Sequence, residues 1–325
     1  MKKLRMAILG AGGIASVMAR TITEMENVER YAVASRSLEK AEGFAKEYGF
    51  EKAYGSYEEL ARDEKVDLVY IATPHSEHFA NAKLCVEHGR PVLCEKAFTA
   101  NVAQARELIA LAEEKKVFLT EAIWVRYMPM AATIRRELEA GAIGRPTLLT
   151  ANLGYLIEKV PRMQRPELAG GALLDLGVYP LNFAMTFFGN RIREVSSVCT
   201  YTQTGVDEQN SFTLVYEDGR VAQLNSSMVG LSDKKGIIYG TEGFMIVEDI
   251  NNYESLTVYD RDRRVVKEIR RPQQISGYEY EVEACIRALE EGRLECEEMP
   301  HAETIRVMEV MDGLRKQWGI RYPFE

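Results

Sequence analysis

Met6-Ala-Ile-Leu-Gly10-Ala-Gly12-Gly13-Ile14-Ala15 is the stretch on which the reading of this chain turns. A short apolar run ends at Gly10, and a helical pattern begins near Ile14 and continues to about Met25. Strand, glycine turn and helix start, in that order, make the phosphate-cradling corner of a dinucleotide-binding unit. Gly10 permits the tight turn, Gly12 lets backbone N–H groups approach a pyrophosphate, and the small Ala15 lets the helix pack on its strand. The positive end of the helix then meets the phosphate. An ordinary tight turn between strand and helix has the same glycines, so the flanking strand and helix carry the assignment. Gly10, Gly12, Gly13 and Ile14 are the candidate contacts.

About 20 residues beyond such a turn, the second strand presents either an acid to the ribose 2′-hydroxyl or an arginine to a 2′-phosphate. Here the strand Val28–Ala34 runs into Ser35 and Arg36 with no acid. Nothing there repels a 2′-phosphate, and a guanidinium can pair with one in a fork. NADP(H) is therefore expected over NAD(H), which stays possible. As a solvated cation at a helix start, Arg36 would have no such role.

The 325 residues, 46% of them hydrophobic, suffice to bury a core in two domains. A net charge of −8 argues against a nucleic-acid-binding surface. No run approaches ~18 consecutive apolar residues, and the first strand follows the amino terminus directly. Neither a membrane span nor a signal peptide is expected, and cytoplasmic residence is the default. The five cysteines are odd in number and never spaced C-x-x-C, so they read as small buried hydrophobes. His75 and His78 lack companions at metal-ligand spacing, and no metal is expected.

Strand and helix patterns alternate through the first 120 or so residues, which predicts a parallel sheet with helices on both faces. The strands expected are Leu4–Leu9, Val28–Ala34, Val66–Ile71, Pro91–Cys94 and Val117–Thr120. Ligands in that architecture bind beyond the carboxyl ends of the strands, where Thr73-Pro74-His75, Glu95-Lys96 and Glu121 fall. From Ile192 onward, alternating segments and the turn Asp218-Gly219 predict a large antiparallel sheet. Two helical patterns close the chain. The expected division is a doubly wound dinucleotide-binding domain, 1–121, and an α+β domain with an open sheet, 122–325. If the uncovered face of that sheet is apolar, it suits a homodimer or homotetramer; the facing of Leu214, Val221 and Leu224 is not fixed by sequence.

Exchanging a hydride between an alcohol carbon and a nicotinamide also moves a proton at the oxygen. Lys96, at a strand's carboxyl end, is one group that can handle it. Gly170-Gly171-Ala-Leu-Leu-Asp175-Leu-Gly177-Val-Tyr179-Pro180 supplies two more. If 172–187 is helical, Asp175 and Tyr179 share a face with Cβ atoms roughly 5–6 Å apart. Pro180 then requires the helix to kink or to start late. The plainer alternative is an Asp stabilising a helix start and a Tyr in the core.

The glycine turn, Ala-Thr-Pro-His75-x-x-His78, Glu95-Lys96, Glu121-Ala-x-Trp124-x-Arg126-Tyr127 and Gly-Gly-x-x-x-Asp175-x-Gly177-x-Tyr179 resemble the Gfo/Idh/MocA oxidoreductases. The match covers nearly the whole chain and is nearest the branch that looks like dimeric dihydrodiol dehydrogenases. The resemblance implies a Rossmann domain, an open-sheet second domain that forms oligomers, and catalytic roles for Lys96, Asp175 and Tyr179. Cofactor contacts are expected from Ser35, Arg36, Thr73, Pro74, His75, His78, Glu95, Lys96 and Trp124, and the resemblance adds Arg126. His75, Trp124, Arg165 and Tyr179 are candidates to meet the substrate. Two departures stand out: Ala97 follows Lys96 where the family has proline, and Tyr179 stands where many members have histidine. A phenol working near neutrality needs a nearby cation, which Lys96 supplies.

These readings lead to an oxidoreductase acting on a sugar, polyol, cyclic diol or related carbonyl, NADP(H) preferred. Two rivals are an NADH-dependent aldose or keto-sugar reductase, and a catalytically silent NAD(P)-binding sensor that acts on a protein partner.

Overall fold

The computed structural model describes residues 3–325. The chain opens with β1 (Leu4–Leu9), α1 (Gly13–Thr23), β2 (Val28–Ala34), α2 (Leu38–Tyr48), β3 (Lys52–Tyr54), α3 (Tyr57–Arg62) and β4 (Leu68–Ile71). It continues through α4 (His75–Glu87), β5 (Val92–Glu95), α5 (Val102–Lys115) and β6 (Leu119–Ala122). Next come α6 (Pro129–Glu139), β7 (Pro146–Gly154), α7 (Val178–Phe188), β8 (Ile192–Tyr201), β9 (Asp207–Tyr216) and β10 (Val221–Ser227). β11 (Gly236–Gly240), β12 (Gly243–Glu248), β13 (Ser255–Asp260), β14 (Val265–Arg270), α8 (Glu279–Glu290) and α9 (His301–Trp318) complete it.

The first compact unit runs through Trp124 and takes in Gln274–Ile305. Its six parallel strands lie in the order β3-β2-β1-β4-β5-β6. That is the doubly wound arrangement, with its switch point beside β1, where the crevice for a ligand opens. The strands are apolar throughout because both faces are covered: Met6–Leu9 and Leu68–Ile71 are wholly buried. Ser37, Ser56 and Asn101 cap α2, α3 and α5 by accepting from Lys40, Glu59 and Gln104 N–H groups, each worth about 1 kcal/mol.

Two features depart from the sequence reading. β3 and α3 were not expected. β3 has only three residues and no periodicity to read, whereas Ser56-x-x-Glu59 is a capping-box signal that announces α3. The second departure is the boundary. A cut at 121/122 stops short of Trp124 and misses the return of residues 274–305, which joins this unit through long-range bonds. Leu119 N–H donates to the Leu294 carbonyl at 3.0 Å. Thr304 Oγ1 donates to Glu121 Oε2 at 3.0 Å, and Asn27 Nδ2 to Glu283 Oε1 at 2.9 Å.

The second unit comprises Val125–Gln273 and Arg306–Glu325. Its eight-stranded sheet has the order β14-β13-β12-β11-β7-β10-β9-β8, antiparallel except where β7 and β10 run parallel. On the inner face Phe212, Leu214 and Tyr216 of β9 and Ala222 and Leu224 of β10 are buried. Leu214 and Leu224 thus belong to the core and not to an open face. The opposite face is mixed around β8–β10, with Val198, Val215 and Val221 among Ser211, Gln223 and Asn225, and aromatic further along, where Phe244 stacks on Tyr259 at 4.5 Å with Tyr239 beside them. The helical stretch Pro166–Phe188 is long and apolar enough to cross a membrane by composition, but its apolar window is 94% buried in the interior, the setting of a core helix.

Candidate active site

The glycine turn of the first unit is built for close approach. Gly10 follows β1 with φ +106°, and a Cβ there would lie 2.6 Å from the Ala72 carbonyl oxygen, so no side chain fits. Gly12 caps α1 without a side-chain hydrogen bond, and a Cβ on Gly12 or Gly13 would meet nothing within 4 Å. The start of α1 therefore offers its N–H groups to open space, while Ala15 is fully buried against the sheet. This cradle fits a dinucleotide pyrophosphate. At the end of β2, Ser35 is buried and its Oγ accepts from Ser37 N–H at 3.4 Å, while Arg36 is exposed just before the cap of α2. No acid accompanies it there.

At the ends of β4 and β5 several side chains brace the backbone. His78 is fully buried, with Nδ1 2.9 Å from the Ala97 carbonyl and Nε2 2.9 Å from the Thr73 carbonyl. Burial pushes its pKa down, against the two carbonyls, which favour the charged ring. Both ring nitrogens are committed to backbone, so His78 ties the turn after Lys96 to the end of β4. Glu95 is also turned inward. The Tyr70 hydroxyl donates to its Oε1, and its Oε2 accepts from the Lys96 N–H at 3.1 Å. His75 opens α4 edge-on to His78, ring centroids 5.6 Å apart, and Asn81 Nδ2 donates to Thr73 Oγ1 at 3.1 Å. Pro74 is the N-cap of α4, and the Lys96–Ala97 peptide bond is cis. Trp124 is buried and stacks flat on Tyr278, 4.2 Å between centroids; this partner arrives with the returning segment and was not legible in the sequence.

In the second unit, the helix carrying Asp175 and Tyr179 is not regular. Leu173–Gly177 forms a π-helical turn that passes into α7, and Val178 N–H bonds back to the Leu173 carbonyl. Pro180 gives the reason: it has no N–H for the Leu176 carbonyl four residues back, and its ring crowds that oxygen. Widening the turn upstream relieves the crowding, and such turns recur at functional sites. Asp175 and Tyr179 are both nearly buried on this element. Arg162 holds the Asp175 carboxylate in a fork, Nη1 to Oδ1 at 2.8 Å and Nη2 to Oδ2 at 3.1 Å. Arg165 instead pairs with its neighbour Glu167 at 2.8 Å in an exposed contact, and Arg126 Nε donates to Asn182 Oδ1 on α7 at 2.7 Å.

Gly170 explains itself through the same loop. A Cβ there would lie 2.6 Å from the carbonyl oxygens of both Arg162 and Met163. The glycine thus lets the loop bearing Arg162 close on the start of the helix, which brings the guanidinium to Asp175. Among the described residues, no three His, Cys, Asp or Glu side chains converge as metal ligands.

Comparison with known proteins bears on both units. Residues 4–123 match the oxidoreductase family with an NAD-binding Rossmann fold, and residues 131–246 match the GFO/IDH/MocA C-terminal domain. The chain is 37% identical over 324 residues to a trans-1,2-dihydrobenzene-1,2-diol dehydrogenase of Xenopus tropicalis, covering 97% of this chain and 98% of that one. It is 35% identical to a D-xylose 1-dehydrogenase (NADP(+)) of Hypocrea jecorina, covering 98% and 93%. In fold it is similar to a 3-ketoreductase of Actinomadura kijaniata solved with NADP and TDP-benzene, with a TM-score of 0.88, 23% identity and coverage of 97% and 98%.

Proposed function

The chain belongs to the Gfo/Idh/MocA oxidoreductase family, and from that premise we propose an NADP(H)-preferring dehydrogenase or reductase acting on a CH–OH group of a sugar, polyol or cyclic diol. When bound, the nicotinamide supplies the hydride donor or acceptor. The chain's own residues handle the rest. Gly10, Gly12 and the N-terminus of α1 seat the pyrophosphate, and Arg36 pairs with a 2′-phosphate.

Tyr179 or Lys96 gives or takes the proton at the substrate oxygen. Asp175, itself locked by Arg162, orients the tyrosine four residues on in the same helix. The observation that carries this reading is the fork-held, buried carboxylate four residues before a buried tyrosine on a π-widened helix. A carboxylate held so tightly in a helix of irregular geometry suits an orienting task better than a fold-stabilising one. The dehydrogenase names of relatives covering nearly the whole chain support the substrate class.

The half-buried aromatic row Tyr239, Phe244 and Tyr259 supports pairing of the open sheet face with a second copy of this chain in a cytoplasmic oligomer. The direct test of function is a panel of aldoses, polyols, inositols and cyclic diols with NADP⁺ or NAD⁺, read by reduced-nicotinamide absorbance. Reduction of NADP⁺ by members of one class is expected, and no turnover with any of them overturns the reading.

A further inference from the structure

We propose that Asp207, on β9, is a positioning residue for the reaction: it supplies from across the sheet the N-terminal cap that the Asp175–Tyr179 helix lacks in its own sequence. Helix starts leave N–H groups without intrahelical partners, and a Ser, Thr, Asp or Asn at the cap normally accepts one. Here Ala172 occupies the cap and has no side chain to do so. The Leu173 N–H donates instead to Asp207 Oδ2 at 2.6 Å. The same oxygen accepts from Asn210 Nδ2 at 2.8 Å, and Asn210 Oδ1 accepts in turn from Ser226 Oγ at 3.0 Å.

Asp207, Asn210 and Ser226 are all buried, on a face of β9 and β10 that is otherwise apolar. The other end of the π turn also rests on this rail: a Cβ on Gly177 would lie 3.1 Å from Ser226 Oγ. Gly171 completes the fit, since a Cβ there would lie 2.3 Å from Asp207 Oδ1, which has no hydrogen-bond partner. Burying a carboxylate with one bare oxygen is costly, and burial indeed pushes Asp207 up to about 6. A carboxylate buried at that cost suits the task of a fixed point for Leu173, two residues before Asp175. An apolar residue at 207 would leave the Leu173 N–H and the Asn210 amide bare.

This inference rests on the catalytic reading of Asp175 and Tyr179, and the test separates the two. Asp207→Ala is expected to lower kcat at least tenfold while KM for NADP⁺ stays within twofold. Asp207→Asn keeps an acceptor oxygen at the same place and is expected to recover kcat to within about threefold of wild type, because an uncharged carbonyl still accepts both bonds. Wild-type kcat in Asp207→Ala, or equal loss in both variants, overturns the positioning role. Should Asp207→Ala fail to fold, Ser226→Ala is the substitute: it frees the Asn210 amide and is expected to lower kcat about threefold at unchanged KM, whereas unchanged kcat overturns the proposal. Tyr179→Phe is measured alongside. If it retains wild-type turnover, the catalytic reading fails. If it loses turnover while the Asp207 variants do not, that reading stands and only the role of Asp207 falls.

Discussion

Arg162 grips Asp175 by both carboxylate oxygens, at 2.8 and 3.1 Å, from a loop that Gly170 allows to close on the helix. The guanidinium is about half exposed and the carboxylate nearly buried. A pair of this kind fixes direction more than it adds stability, because solvent screens the exposed partner. Arg162→Lys keeps the charge and loses the fork, and a lysine is a point charge with no planar match to a carboxylate. It is expected to lower kcat roughly tenfold with little change in melting temperature. Steady-state kinetics beside a thermal melt distinguish this from a folding defect, and unchanged kcat would remove Arg162 from the site.

Lys96 lies just past the end of β5, its backbone N–H held by Glu95 and the following carbonyl by His78. Lys96→Met removes the ammonium and preserves the stem, so those braces survive. Coenzyme affinity by fluorescence titration should stay within about tenfold, and turnover should fall on the order of a hundredfold. Turnover retained in this variant would end the assignment of proton chemistry to Lys96.

Arg36 stands exposed where β2 gives way to α2. A hydrogen-bonded pair with a phosphate contributes about 1.5–3 kcal/mol, so Arg36→Ala is expected to weaken NADPH roughly 10- to 100-fold and NADH hardly at all. Competitive titration with both nucleotides measures the ratio. Equal losses for the two would show that the preference lies elsewhere.

Asp207 has a native pKa raised to about 6 by burial, against about 3.9 in an unfolded chain. The native state therefore holds that proton more tightly. Its contribution to stability is complete below about pH 4 and is lost as pH rises through about 6. The difference integrates to roughly 3 kcal/mol. Asp207→Asn cannot ionise, so the stability of wild type relative to this variant should decline between about pH 4 and 6.5 and then level off. Urea unfolding of both proteins across that range reads it directly, and a flat difference contradicts the placement of Asp207 in a dry site.

Phe244, stacked on Tyr259 on the open sheet face, tests the oligomer. Phe244→Glu places a charge where an apolar contact between copies would be dry, and charges without partners are expelled from such interfaces. Sedimentation should show wild type as a dimer or larger and the variant shifted toward monomer. A wild-type protein that sediments as a monomer would dispose of the interface.

The local signals in this sequence were strong where structure is made by neighbours in the chain. The glycine turn, the strand Val28–Ala34, the alternation of strands and helices, and the hairpin at Asp218-Gly219 depend on residues a few positions apart, and periodicity and turn chemistry report those directly. The likeness of whole motifs put forward Lys96, Asp175 and Tyr179 as candidates for the chemistry. Short elements escaped because β3 spans three residues, too few to repeat any pattern.

Tertiary packing decided what no window of sequence contains. Whether Arg162 is a solvated cation or the clamp on Asp175 depends on a loop closing over Gly170. Whether His78 faces a ligand or spans two backbone carbonyls depends on β4 and β5 lying side by side. The cap for the Asp175 helix comes from a strand 34 residues further on, and the second half of the Trp124 stack comes from a segment that returns after the whole second sheet is built. A chain encodes local conformation through short-range sterics and capping. The partner of a buried charge or ring is chosen only when distant segments are brought together and each polar group must find a mate.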